Sequence, residues 1–324
     1  MNIKDIAKPV ENQLDEFDLF FKDLMRTKVP LLDLIVRYIT KKRGKRIRPL
    51  LVFLSAQICG GTNERSNIAA SMVELLHTAT LVHDDVVDES SERRGIASIN
   101  SAWNNKIAVL FGDFLLSRGL LAAIDKDEFG FLKSLSVSVR RMSEGELLQI
   151  QKSKELHNDE ETYFKIISDK TASLIATCCE IGAMSATDDV SKHKIMHDYG
   201  ELIGLAFQIR DDIFDYQSKS LSIGKPVGND LKEKKVTLPL IYSLNQVGAS
   251  EAREIVKIVK SEKLKKKNIN FIIDFVKNNG GIDYAENKAK ELTTQATNLL
   301  NTFDDSDAKT SLINFANFVI ERDL

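Results

Sequence analysis

Residues 66–88 read SNIAASMVELLHTATLVHDDVVD. Ile68, Met72, Leu75, Leu76, Ala79 and Val82 recur at spacings of three and four, the period of a helix with an apolar face. Neither Pro nor Gly interrupts them, and the stretch closes on three carboxylates, Asp84, Asp85 and Asp88. The spacing predicts a long buried helix with an acidic end.

The pattern repeats on both sides. Upstream, Leu14, Phe17, Phe21 and Leu24, then Leu31, Ile35 and Tyr38, predict two helices over 10–39, broken near Pro30. Lys41 to Pro49 carries six basic side chains and reads as a positive loop. Leu50–Cys59 is too apolar for a surface helix and stops at Gly60-Gly61, where glycine allows a left-handed cap. Downstream, helices are expected over about 105–125, 128–152, 160–187 and 192–217, with no strand between them. Ser218–Thr237, with Gly224, Pro226, Gly228 and several lysines, reads as an ordered loop before a helix near Leu238. Residues 250–324 are charged, helical in pattern and without a site-like cluster.

Composition agrees. The chain has only 16 Gly and 5 Pro in 324 residues, and none of the prolines lies between Pro49 and Pro226. Long helices are the economical reading of so few breakers. With 43% hydrophobic and 28% charged residues, the chain has material for a large core and no signature of disorder. Its 45 basic and 47 acidic residues nearly cancel, so no overall field argues for nucleic acid or an anionic membrane. Cys59, Cys178 and Cys179 lack metal-ligand spacing and suit a reducing, cytoplasmic compartment. No run of 18 apolar residues suggests stable membrane insertion. One all-α domain over 1–324 is expected, with no internal repeat or linker.

Asp84 and Asp88 lie four apart and share a helix face, where like charges repel unless a cation compensates. A solvated acidic helix end would explain one such cluster. The spacing recurs at Asp211, Asp212 and Asp215, again after an apolar helix (Leu202, Leu205, Ala206, Ile209), which favours a built site. Oxygen ligands without His or Cys suit a hard ion, and Mg²⁺ commonly joins a few carboxylates to substrate phosphates. Lys45, Arg46, Arg48, Arg93, Arg94, Lys225, Lys234 and Lys235 flank both motifs as candidate phosphate cations. Each alone reads as a surface residue; together they point to a polyanion bridged by metal.

Six segments in order then resemble the trans-isoprenyl diphosphate synthases, the polyprenyl synthetase family. They are Gly44–Pro49; His77–Asp88; Arg93-Arg94-Gly95; Asp169-Lys170-Thr171-Ala172; Phe207–Asp215; and Gly224–Leu231, closed by Lys235-Val236-Thr237-Leu238-Pro239. The resemblance implies a bundle of long antiparallel helices around a central active-site cavity, the isoprenoid synthase fold, with the two motifs facing across its mouth. It implies that Asp84 and Asp88, and Asp211 with support from Asp212 and Asp215, hold Mg²⁺, three ions per site with substrate bound. Arg93, Lys170, Thr171, Gln208, Lys225 and Lys235 would contact an allylic diphosphate, farnesyl or geranylgeranyl diphosphate being the expected primers. Lys45, Arg48, His77 and Arg94 would take isopentenyl diphosphate. Asp84, Asp85, Asp88, Lys170, Asp211 and Lys225 would form the catalytic set, and the enzyme would be a homodimer.

The reaction implied is ionisation of the allylic carbon–oxygen bond, attack by the isopentenyl double bond on the cation, and loss of a proton. Short-chain members often carry an aromatic residue four or five positions before the first aspartate. Here Thr80 and Ala79 are small, which implies an open tunnel and a long product of about seven to nine isoprene units, counted in helical turns. A farnesyl or geranylgeranyl diphosphate synthase is the alternative. Remoter ones are a non-catalytic subunit, which typically loses its aspartates, and an HD-type phosphohydrolase, which would leave Asp211–Asp215 unexplained. Ile96-Ala97, and Lys234 where glycine is common, depart from the family pattern; Lys235 rather than Lys234 is expected to meet phosphate.

Overall fold

The structure, a computed structural model, describes residues 2–41, 44–93, 95–155, 159–217, 228–261 and 264–321. The N-terminal helices are α1 (Ile3–Ala7), α2 (Glu11–Leu24), α3 (Pro30–Thr40), α4 (Ile47–Cys59) and α5 (Glu64–Val87). A two-residue hairpin, β1 (Glu92–Arg93) and β2 (Ile96–Ala97), comes next, then α6 (Ile99–Ala102), α7 (Asn105–Ile124) and α8 (Phe129–Glu155). After these lie α9 (Glu160–Ile167), a π turn (Ser168–Ala172), α10 (Ser173–Ala186) and α11 (Val190–Phe214). The chain ends with α12 (Asn229–Lys232), α13 (Leu238–Asn245), α14 (Ala249–Val259), α15 (Lys266–Asn278), α16 (Gly281–Leu299) and α17 (Asp307–Glu321). The fold is all-α, as the proline-poor sequence predicts.

Contacts divide the chain into two compact units. The first is Met1–Ser136, Thr177–His197 and Phe303–Leu312; the second is Val137–Ala176, Asp198–Thr302 and Ile313–Leu324.

In the first unit α5 starts at a capping box, in which Asn63 accepts from the Ser66 amide and Ser66 Oγ from the Asn63 amide. The helix is buried along its length, as its apolar period requires, and its main partner is α7. Leu75, Ala79 and Val82 of α5 join Ala108, Phe111 and Leu115 of α7 in one core cluster with Met25, Ile35 and Ile99. Gly112 brings α7 close: a Cβ there would lie 2.1 Å from the ring of His83. Among the described residues α7 is the one helix long and apolar enough to cross a membrane by length and composition. Its Ala108, Phe111, Gly112 and Leu115 are buried in this core.

The basic stretch ends earlier than expected, because Ile47, Arg48 and Pro49 already belong to α4. Pro49 sits in the first turn, where an amide has no intrahelical partner to lose, and Pro30 and Pro239 open α3 and α13 likewise. Gly60 (φ 156°) and Gly61 (φ 114°) end α4, the expected glycine stop.

In the second unit α13 and α16 meet closely at Gly281, whose Cβ would fall 2.2 Å from the Pro239 carbonyl oxygen. Tyr242 stacks on Tyr284 at 4.1 Å between ring centroids, and the Tyr284 hydroxyl donates to both oxygens of Glu160. The helix predicted over 160–187 is not continuous. The Ser173 amide reaches back to the Ser168 carbonyl, the five-residue bond of a π turn.

Candidate active site

In the first unit Asp84 and Asp88 are exposed at the end of α5, one turn apart. Asp85, 3% exposed, points inward instead. Arg93 clasps it, with Nε at 2.8 and 2.9 Å from the two carboxylate oxygens and a terminal nitrogen at 2.7 Å. The Asn100 amide donates to the Asp85 carbonyl at 3.1 Å, fixing the backbone of the motif as well. Beside this pair lies a cavity of about 160 Å³ walled by Phe17, Phe21, Tyr38, Leu81 and Ile99. Arg93 and Arg46 reach it, whereas Lys45, Arg48 and His77 are not in its lining.

Arg46 is engaged within the protein. Its guanidinium donates to the Leu14 carbonyl and Asp18 Oδ2, both at 3.0 Å, and ties α2 to the start of α4. Lys45 is exposed, Arg48 half-buried in the first turn of α4 and His77 buried on α5. Arg94 lies outside the described residues.

In the second unit Lys170, Thr171, Gln208, Asp212 and Lys235 line one cavity of about 130 Å³ with Gln149, Tyr163 and Asp230. A chain of hydrogen bonds orders it. Thr171 Oγ1 donates to Gln208 Oε1 (2.9 Å), Gln208 Nε2 to Asp212 Oδ1 (2.8 Å), and the Tyr163 hydroxyl to Asp212 Oδ2 (2.7 Å). Asp212 is 4% exposed, and burial, with the charges of Asp230 and Asp211, pushes its carboxyl up to about 8 against the pull of its two donors. Asp215 caps the next helix, its two oxygens accepting the Asn229 and Asp230 amides at 2.9 and 3.0 Å. Of this motif only Asp211 is exposed. Both oxygens of Asp212 and of Asp215 are engaged inside the protein, an arrangement that suits the supporting part expected of them beside Asp211.

Lys170 Nζ pairs with Glu146 and lies 3.4 Å from Gln149 Oε1. Lys235 Nζ is 2.6 Å from Glu233. Burial pulls the Lys235 pKa down, but the hydrogen bond and charge of Glu233, with Asp230 and Glu146, outweigh it and raise it, so the ammonium persists. Lys234 does not line the cavity and holds a left-handed backbone (φ 58°), which accounts for glycine being common there. Lys225 lies outside the described residues. Sequence reasoning missed Glu146, Gln149 and Tyr163; the first two come after Gly145 on α8 at helical spacing, a faint signal at best.

Among the described residues no three His, Cys, Asp or Glu side chains cluster tightly enough to hold a metal alone. A hard divalent ion needs only one or two protein carboxylates when substrate oxygens and water complete its shell. Asp84 with Asp88, and Asp211, are the exposed carboxylates that could supply those contacts. Ala79 is fully buried in the α5–α7 core and Thr80 partly buried; neither lines the two cavities.

Residues 29–276 match the family model described as Polyprenyl synthetase. The chain is 35% identical over 320 residues to an all-trans-nonaprenyl-diphosphate synthase (geranyl-diphosphate specific) of Rhodobacter capsulatus, covering 98% of each. It is 32% identical to an octaprenyl diphosphate synthase of Haemophilus influenzae, over 99% of this chain and 98% of that one. A crystal structure of a polyprenyl synthase of Caulobacter crescentus, complexed with calcium and isoprenyl diphosphate, superposes with a TM-score of 0.91 at 31% identity, over 99% of this chain and 98% of that one.

Proposed function

Because the chain belongs to the polyprenyl synthetase family, we propose that its aspartate motifs and cavity lysines divide between them the work of head-to-tail prenyl transfer. The enzyme is a trans-prenyltransferase that condenses an allylic diphosphate with successive isopentenyl diphosphates to a long polyprenyl diphosphate, as its full-length nonaprenyl and octaprenyl relatives do. The observation that carries the assignment of roles is the convergence of Lys170 and Thr171 from the π turn, Gln208 and Asp212 from α11, and Lys235 on one cavity.

Lys170 and Lys235 neutralise the allylic diphosphate, and Thr171 and Gln208 orient it through their shared hydrogen bond. Lys225 and Arg93 complete that set by the family pattern. Lys45, Arg48, His77 and Arg94 take isopentenyl diphosphate. Family members use a divalent metal; we assign three Mg²⁺ ions, which when bound supply Lewis-acid neutralisation of charge on the departing diphosphate. Asp84 and Asp88 on α5, and Asp211 on α11, are the residues that would hold them, with Asp85, Asp212 and Asp215 supporting from within. The protein provides no nucleophile; it orients the two diphosphates and keeps water from the allylic cation until the isopentenyl double bond attacks and a proton is lost to the released diphosphate.

Exposed Leu110, Leu120, Leu121 and Ile124 on α7 support a homodimer, and the free cysteines support a cytoplasmic enzyme. The test is product analysis with Mg²⁺, isopentenyl diphosphate and geranyl, farnesyl or geranylgeranyl diphosphate as primer. Products well beyond geranylgeranyl length are expected; a product that stops at farnesyl or geranylgeranyl diphosphate would restore the short-chain alternative.

A further inference from the structure

The π turn Ser168–Ala172 carries Lys170 and Thr171, and it is held by a side chain that belongs to no recognised motif. A π turn adds one residue to the helix and so rotates the segment before it by about 100° relative to the segment after it. Whether Lys170 and Thr171 face the cavity therefore depends on the turn keeping its register. Its own carbonyls help: Asp169 C=O accepts from Ser173 Oγ at 2.6 Å.

Most of the restraint comes from Arg141 on α8. Its Nε donates to Asp169 Oδ1 (2.8 Å), one terminal nitrogen to Ser168 Oγ (2.7 Å) and Glu201 Oε1 (2.8 Å), and the other to Glu201 Oε2 (3.2 Å). Lys165 Nζ holds the second oxygen of Asp169 at 2.6 Å, and Asp169 is 2% exposed. One turn beyond Arg141, Gly145 lets α8 touch the turn, for a Cβ there would lie 2.9 Å from the Lys170 amide nitrogen. Three residues beyond Glu201, Gly204 does the same for α11, with a Cβ 2.5 Å from Ala172 Cα. Each helix thus presents a charged partner and a glycine on one face, and the turn sits between them.

We propose that Arg141 is a positioning residue, which fixes the π turn in the register that presents Lys170 and Thr171 to the allylic diphosphate. The proposal rests on the reading that Lys170 binds that diphosphate. Lysine at 141 keeps the charge but cannot make the fork. Arg141→Lys is therefore expected to fold like the wild type, to raise the KM for the allylic diphosphate about tenfold, and to leave the KM for isopentenyl diphosphate within about twofold, the signature of misplaced groups at one subsite. Amide hydrogen exchange over 168–173 should accelerate in the same variant. Glu201→Gln, which weakens the other arm, should do both more mildly. In a Lys170→Ala background Arg141→Lys should add a smaller loss than it causes alone, only the part that acts through Thr171, since residues acting as a unit are not additive. Unchanged exchange and allylic kinetics in both clamp variants, or losses that multiply in the double variant, would overturn the positioning role. An unchanged Lys170→Ala enzyme would instead overturn the substrate reading, and the proposal with it.

Discussion

Ala79→Phe puts the steric account of product length to its most direct test. Ala79 lies five residues before Asp84, so at 1.5 Å per residue it sits about 7.5 Å along the α5 axis from the exposed carboxylate. Ala79 faces the α5–α7 core and lines neither cavity. A ring there therefore shortens the product only if the growing chain threads between α5 and α7 beneath Asp84, in which case growth should stop at about two to four isoprene units. The substitution also has a structural cost, because Ala79 is fully buried in a cluster with Met25, Ile35, Phe111 and Leu115. Overpacking such a site typically costs about 1–3 kcal/mol. With about 2.1 cal/mol/K of unfolding entropy per residue over 324 residues, that lowers Tm by about 1.5–4.5 °C. The variant should therefore remain folded at 25 °C. The assay is chromatography of dephosphorylated products from labelled isopentenyl diphosphate, beside kcat/KM for the first addition. A shortened product with first-addition kcat/KM within about threefold of wild type separates a blocked tunnel from general damage. A folded Ala79→Phe enzyme that still makes full-length product would refute the reasoning, and Thr80→Phe would then tell whether the neighbouring position forms the wall.

Three further outcomes rest on single features. Lys234 adopts φ 58°, where a non-glycine residue costs about 1–2 kcal/mol, partly offset in a glycine variant by about 0.5–1 kcal/mol of lost chain entropy; Lys234→Gly should stabilise the fold by up to about 1 kcal/mol in denaturant titrations. Burial pushes the thiols of Cys59 and Cys179 up from 9.0 to about 12, so the thiolate is about a thousandfold scarcer; native protein should resist alkylation at pH 8, and all three cysteines should react once unfolded. Chelation with EDTA should abolish turnover and Mg²⁺ restore it, with an unaltered circular dichroism spectrum, because no cluster of three ligands among the described residues contributes to the folded core.

Much of the fold is legible in the residues, and the parts that are not have physical causes. The period of residues 66–88 gives a buried helix because burial on one side and helical geometry leave the same trace in sequence. Pro49 reads as loop because proline breaks a helix interior yet suits its first turn, and sequence alone does not say on which side of the boundary it falls. The π turn is invisible since the extra residue falls in Ser168-Asp169-Lys170-Thr171-Ala172, where a single apolar side chain is too little to show a phase shift of about 100°. Arg46 and Arg48 stand two apart in one basic stretch, but only the fold shows that Arg46 turns back to Asp18 while the chain enters α4.

The adjacent aspartates carry the same lesson into the site. Neighbouring residues on a helix diverge by about 100°, so two carboxylates side by side cannot both face one ion from equivalent positions. In each motif the second aspartate is the one that turns inward: Asp85 into the fork of Arg93, Asp212 to Tyr163 and Gln208. The exposed neighbours, Asp84 and Asp211, keep the outward positions. Burying a carboxylate costs several kcal/mol unless it is paired or hydrogen-bonded, so the inward residues must hold their partners firmly, and those partners include Arg93 and Gln208, both assigned to the allylic diphosphate. Under the proposed function the paired aspartates serve two coupled roles, one carboxylate toward metal and one fixing the side chains beside it. On that reading Asp85→Asn, which keeps shape but discards the charge under Arg93, should impair turnover more than it impairs stability. A variant that lost stability and turnover in strict proportion would count against it.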